Sequence, residues 1–201
     1  MKRITWLVLA AQLFAGALGA WAAGAAGVES WARQVSSLVD PAKLATLGPR
    51  GANPRVQKYV ALLAEGRGAG APPETVVARA VALVGMKGEA AKLTAEAMLR
   101  NLVIAERLGC LDAEGMAAMR RGKAPTITKG PYRGDRTSVD HIIPRAVAPK
   151  LDTVIANLEV MPLRMNESKN AKIGARQVDL ARKFRAAGLL SAAGLVVVLG
   201  R

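Results

Sequence analysis

Residues 138–172, SVDHIIPRAVAPKLDTVIANLEVMPLRMNESKNAK, constrain this chain most, because two short β-forming runs, each stopped by a proline, precede a helix-forming stretch. Thr137, Ser138, Val139, Ile142 and Ile143 are β-branched or apolar around Asp140-His141 and predict a strand ended by Pro144. After a loop rich in Ala, Pro and Lys, Leu158-Glu159-Val160-Met161 alternates as a second strand and stops at Pro162. From about residue 164 to about 187 the composition turns to Ala, Lys, Arg, Gln, Leu and Met, with Ile173, Val178, Leu180 and Phe184 on one face, which predicts a helix. The order is strand, strand, helix, with Asn166 in the first turn of that helix, facing the first strand.

The same segment concentrates chemistry-bearing residues. The chain has one histidine, His141, directly after Asp140; Asn157 follows sixteen residues later and Asn166 nine after that. Hydrolysis of a phosphodiester needs an activated water, neutralisation of charge on a phosphorane-like transition state, and stabilisation of the departing 3′ oxygen, and a hard cation can do the last two. A carboxylate and an amide oxygen are hard ligands suited to Mg²⁺ or Mn²⁺, so Asp140 and Asn166 are the candidate ligands. An imidazole titrates near neutrality and can accept the proton of a water, which makes His141 the candidate base. Asn157 is placed to help hold the ring in one tautomer.

These residues resemble a known family, the HNH endonucleases of the ββα-metal class, in the variant whose third motif residue is Asn. Its pattern is Asp-His-Ile-x-Pro, then Asn-Leu before a short apolar run, then Asn-x-x-Lys. Here those elements are Asp140-His141-Ile142-Ile143-Pro144, Asn157-Leu158 and Asn166-Glu167-Ser168-Lys169. The resemblance covers about the last third of the chain. It implies Asp140 and Asn166 as metal ligands, His141 as general base and Asn157 as the residue that constrains the histidine. Many relatives also carry Cys-x-x-Cys pairs that hold a structural zinc; one pair would fall at Pro162 and Met165, so no structural zinc is expected. Many active relatives have His where this chain has Asn166, which implies weaker metal binding.

Charge agrees with an anionic partner. Lys and Arg total 29 against 15 Asp and Glu, an excess that attracts nucleic acid or an acidic surface. Arg133, Arg136, Arg145, Lys150, Arg164, Lys169, Lys172 and Arg176 crowd the motif, and Arg145, Lys169, Arg133 and Lys172 are the candidate phosphate contacts, giving salt-dependent binding with weak sequence preference. Aromatic residues are 3% of the chain, with Tyr132 nearest the motif, so stacking platforms lack material. No base-reading module such as a helix-turn-helix is legible.

Met1-Lys2-Arg3, the apolar run that follows and the small triplet Ala20-Trp21-Ala22 predict a secretory signal over residues 1–22, cleaved before Ala23; the competing reading is an uncleaved anchor. Export in a bacterium-like context means a periplasmic or secreted protein with no stable membrane association after cleavage. Cys110, the single cysteine, cannot form an internal disulfide, and its setting suggests burial near a helix end.

Residues 23–125 predict a helical region. Asp40-Pro41 and Asn53-Pro54 carry a cap-then-proline signature for helices over about 41–47 and 56–65, after a short amphipathic segment over 28–38. Residues 66–73 form a flexible connector before a helix over 74–84. The longest helix is predicted over 88–108, burying Leu93, Ala97, Leu99, Val103 and Ile104 and stopped by Gly109; a short one follows over 113–120. This region either covers the apolar faces of a ββα unit too small for its own core, or forms a DNA-binding subdomain; mixed charges and regular apolar stripes favour the cover. Residues 189–201 are an apolar tail, too short to span a membrane, whose 195–199 portion suits a strand or a short helix.

The expectation is therefore an α+β protein, a mainly helical N-terminal layer packed with a C-terminal ββα-metal unit over 126–188. Its function would be divalent-metal-dependent hydrolysis of DNA, with RNA as a second substrate class. Two alternatives stand beside it: a non-catalytic nucleic-acid-binding protein on an HNH scaffold, and a basic envelope protein that binds lipid or cell-wall polymer through an uncleaved N-terminus.

Overall fold

The computed structural model describes residues 26–169 and 171–201. The expected signal segment lies outside the described residues. The described residues are α+β, with helices around one two-stranded antiparallel sheet. No helix among the described residues is long and apolar enough to cross a membrane.

Among the described residues, five helices precede the helix α6. They are α1 (residues 26–39), α2 (Pro41–Ala45), α3 (Asn53–Gly68), α4 (Pro73–Leu83) and α5 (Gly88–Arg107); α6 spans Ala113–Arg120. Asp40 caps α2 as its signature predicts, its carboxylate accepting from the Ala42 N–H at 2.9 Å with Pro41 in the first turn. Asn53 departs from the same signature. Helix α3 begins at Asn53 itself, capped by Ala52, and the Asn53 side chain turns instead to the first strand, donating Nδ2–H to the Val139 carbonyl at 3.2 Å. Helix α3 also continues to Gly68, three residues past its predicted end, so the connector shrinks to residues 69–72. Gly109 ends α5 in the left-handed region at φ 72°, where an added Cβ would collide with the Thr128 hydroxyl.

The buried face of α5 is rotated from the predicted one. Leu93, Thr94, Ala97, Met98, Asn101, Leu102 and Ala105 are buried, whereas Val103 is exposed and Leu99 and Ile104 are half-buried. The reason is Asn101, which a hydrophobicity count reads as outward. Its Oδ1 accepts from the Val160 N–H at 2.9 Å and its Nδ2 donates to the Leu158 carbonyl at 3.0 Å and to the Tyr59 hydroxyl at 2.7 Å. One buried amide thus satisfies backbone groups on the edge of a strand, as a neighbouring strand would.

That strand is β2 (Leu158–Pro162), paired antiparallel with β1 (Thr137–His141) so that Asp140 faces Glu159 and His141 faces Leu158. Helix α7 (Leu163–Ser168) follows at once and packs on both strands. The single helix predicted from 164 to 187 is in fact two, α7 and α8 (Ala175–Ala186). Lys169 leaves helical geometry at ψ 113°, which carries its side chain back toward β1, and α8 restarts behind Gly174. The tail resolves as a helix, α9 (Ala192–Leu199), with Ser191 as its N-cap.

Two apolar clusters hold these elements. The larger joins the helices to the sheet through Val139, Ile155, Leu158 and Val160. The smaller gathers Ile143, Val147 and Leu151 of the interstrand loop with Phe184 of α8, Val198 of α9 and Leu93 of α5. The loop beside the motif is therefore anchored from both sides by burial of apolar side chains.

Candidate active site

Strand β1 brings Asp140 and His141 to the lining of a cavity of about 580 Å³, which Asn166 of α7 also lines. An adjoining cleft of about 220 Å³ shares Asp140 and His141 and adds Arg145 and Lys169. Asn166 is held against the strand by its Nδ2–H, which donates to the Ser138 hydroxyl at 2.8 Å and leaves the amide oxygen for another partner. The Lys169 ammonium contacts the Asp140 carboxylate and donates to the His141 carbonyl at 3.1 Å. A carboxylate oxygen and a carbonyl oxygen therefore already converge on a cation, while Asn166 lines the larger cavity, which shares Asp140 and His141 with the cleft that Lys169 lines. This is the hard oxygen chemistry that a divalent ion of the Mg²⁺ type takes.

The imidazole is buried, 6% exposed. Its Nε2 lies 3.0 Å from the backbone carbonyl of Asp152 and 2.8 Å from the Oδ1 of the same residue. The carbonyl meets the directional demands of a hydrogen bond, and Oδ1, off that axis, acts through its charge. A carbonyl can only accept, so this bond requires the proton on Nε2 and leaves the Nδ1 lone pair free. Asp152 is itself fixed by its Oδ2, which accepts from the Arg50 N–H at 3.1 Å. Arg50 adopts φ 59°, a left-handed conformation costing a non-glycine residue roughly 1–2 kcal/mol. That conformation belongs to the turn that presents its N–H to Asp152.

Asn157 stands apart from the cavity. It is fully buried and makes no hydrogen bond to the imidazole; its Oδ1 accepts from the Ile143 N–H at 2.8 Å, and its Nδ2 donates to the carbonyls of Ile143 at 3.0 Å and Leu151 at 3.4 Å. Any constraint it exerts on His141 passes through the loop that carries Asp152. Of the four candidate phosphate contacts, Arg145 and Lys169 line the smaller cleft, while the exposed Arg133 and Lys172 line neither cavity. Behind β2, Glu159 lies between Arg100 and Arg176. Burial lowers the Arg100 guanidinium pKa against the attraction of Glu159, and hydrogen bonding to Glu159 raises that of Arg176.

The motif spacing did not disclose Asp152, Arg50, Asn53 or Gln57. Asp152 sits in the interstrand loop with no flanking signature, and the other three belong to the helical half, reaching the cavity only by packing. No family model, curated protein or solved structure matches the chain.

Proposed function

We propose that this chain is a metal-dependent endonuclease of the HNH type, with β1, β2 and α7 as its ββα unit and DNA, or RNA, as its substrate. The observation that carries this reading is the meeting of Asp140, His141 and Asn166 at one cavity, with a cation already paired to Asp140. Asp140 and Asn166 would hold a divalent ion, Mg²⁺ or Mn²⁺. Such an ion, when bound, supplies neutralisation of the phosphorane charge and stabilisation of the leaving 3′ oxygen.

The chain's own groups do the rest. His141 takes the proton of the attacking water at Nδ1, because Nε2 is committed to the Asp152 carbonyl. The Asp152 carboxylate stands beside the ring, its Oδ1 2.8 Å from Nε2. Asn157 holds the loop so that the Asp152 carbonyl stays in register with the ring. Arg145 and Lys169 bind phosphate from the cleft side, where their charge makes affinity fall with salt. The expected setting is the periplasm or the outside of the cell.

Purified protein incubated with plasmid should nick or linearise it in Mg²⁺ or Mn²⁺ and leave it intact in EDTA. His141→Ala should abolish cleavage and keep binding. Intact plasmid across several divalent ions would refute catalysis.

A second reading draws on the same ion pair. With Lys169 neutralising Asp140, the scaffold could bind nucleic acid without turnover, which predicts salt-dependent binding indifferent to EDTA.

A further inference from the structure

Helix α9 has the sequence AAGLVVVL, without a polar side chain. A helix that is apolar on every side is normally buried on every side. This one is not. Val198 is buried in the same apolar cluster as Phe184 of α8, with Leu195 half-buried against that cluster, and the opposite side faces solvent. There Ala192, Val196 and Leu199 follow one another at intervals that keep one helix face, with Val197 alongside. Val196 is 68% exposed, Val197 46% and Leu199 47%. The other exposed large apolar side chains among the described residues, Val103 and Met165, stand singly, so α9 carries the one cluster of them.

The setting of this face is basic. Residues 180–201 contain Arg182, Lys183, Arg185 and Arg201 and no acidic residue. Lys183 pairs with Asp179 of α8 at 2.9 Å. Arg182 and Arg185, on the helix that α9 packs against, and Arg201, just past the end of α9, are exposed and have no carboxylate partner among the described residues.

Aliphatic side chains and unpaired arginines together select the occupant. Duplex nucleic acid satisfies the arginines and leaves the aliphatic face in water. A second copy brings the same arginines face to face across a two-fold contact, between chains of formal net charge +14. The eight-residue α9, about 12 Å long, also falls far short of the roughly 800 Å² a side that a stable protein interface buries. An anionic lipid surface answers both features, since its headgroups attract guanidinium groups, its acyl boundary takes aliphatic side chains, and binding grows with both.

We infer that α9, with Arg182, Arg185 and Arg201 around it, is a docking face for the surface of an anionic phospholipid membrane. The helix is too short to cross a bilayer and lies in the plane of the interface. The inference does not depend on the nuclease reading.

The test is co-sedimentation of the full protein with vesicles of phosphatidylcholine alone and of phosphatidylcholine carrying about 30% phosphatidylglycerol. Binding to the anionic vesicles should be at least roughly tenfold tighter and should fall as salt rises. The triple variant Val196→Gln, Val197→Gln, Leu199→Gln should bind them at least roughly tenfold more weakly, because the apolar contribution is gone. The double variant Arg182→Gln, Arg185→Gln should lose roughly tenfold through charge alone. Both should melt within about 3 °C of the wild type, since every replaced side chain is exposed. Wild-type protein left in the supernatant, equal binding to both vesicle types, or unaltered binding by either folded variant would overturn the docking face. So would self-association of the wild type, abolished in the triple variant, without vesicle binding.

Discussion

His141 and Asp152 are joined through two atoms of the same aspartate, Nε2 lying 3.0 Å from the backbone carbonyl and 2.8 Å from the carboxylate. The carbonyl selects the tautomer, and in the proposed reaction the carboxylate would face the ring that takes the proton. Asp152→Ala removes the second contact, together with the Oδ2 anchor to the Arg50 N–H, and leaves the carbonyl itself in the chain. It should lower the cleavage rate roughly tenfold or more, with little change in KM. A single-turnover rate equal to that of the wild type would show that the carboxylate is a bystander.

Asn157 makes three hydrogen bonds to loop backbone in a fully buried position. Asn157→Ala leaves those groups without partners and water cannot replace them. The unfolding free energy should fall by about 2–4 kcal/mol, read as a lower urea midpoint at an unchanged slope. A loss below about 0.5 kcal/mol would mean that the loop is held by its apolar contacts alone.

On the proposed reading, Lys169 and a divalent ion would compete for the Asp140 carboxylate. Removing the ammonium in Lys169→Met should tighten Mn²⁺ binding roughly five- to tenfold in a calorimetric titration, a modest factor because the half-buried pair is screened by solvent. Cleavage should nevertheless fall, since the same residue faces the phosphate-side cleft. Unchanged or weaker Mn²⁺ affinity would count against Asp140 as a ligand.

Stability should decline in alkali for a definable reason. Burial pushes the Cys110 thiol from 9.0 up to about 12, and burial also raises the Tyr59 hydroxyl above its ordinary 10.0. Both groups are neutral when protonated. Above the unfolded-state value the unfolded chain binds fewer protons than the folded one, so unfolding becomes easier as pH rises through about 9 toward 12, by up to about 1.4 kcal/mol per pH unit for each group. Denaturant unfolding at about pH 8 and about pH 10.5 should show this loss in the wild type and a smaller one in Cys110→Ala. Identical losses in both proteins would remove the thiol from the account.

Both strands were legible from strand-forming runs near a proline, although β1 ends at His141, short of Pro144, and Pro162 is itself the last residue of β2; Asp140, His141, Asn166 and Lys169 were legible because they lie on or beside those local elements. The predicted helix over 164–187 missed its break, since Ala, Lys and Arg favour a helix locally while Lys169 is drawn out of it by the Asp140 carboxylate and the His141 carbonyl. The predicted α5 face failed for a related reason. Burying Asn101 in place of Val103 is unfavourable by hydrophobicity and becomes favourable only once a strand edge needs its hydrogen bonds.

The amino-acid sequence by itself determined the local order of strand, loop, strand and helix, the basic charge and the identity of the groups on β1 and α7, because propensity, proline stops and short spacing act within a few residues. Tertiary structure alone decided what completes the cavity. Arg50 reaches Asp152 across 102 positions, and Asn53 meets the Val139 carbonyl only where α3 lies against β1. Such contacts depend on how apolar faces dock, and no residue's immediate neighbours in the chain record that docking.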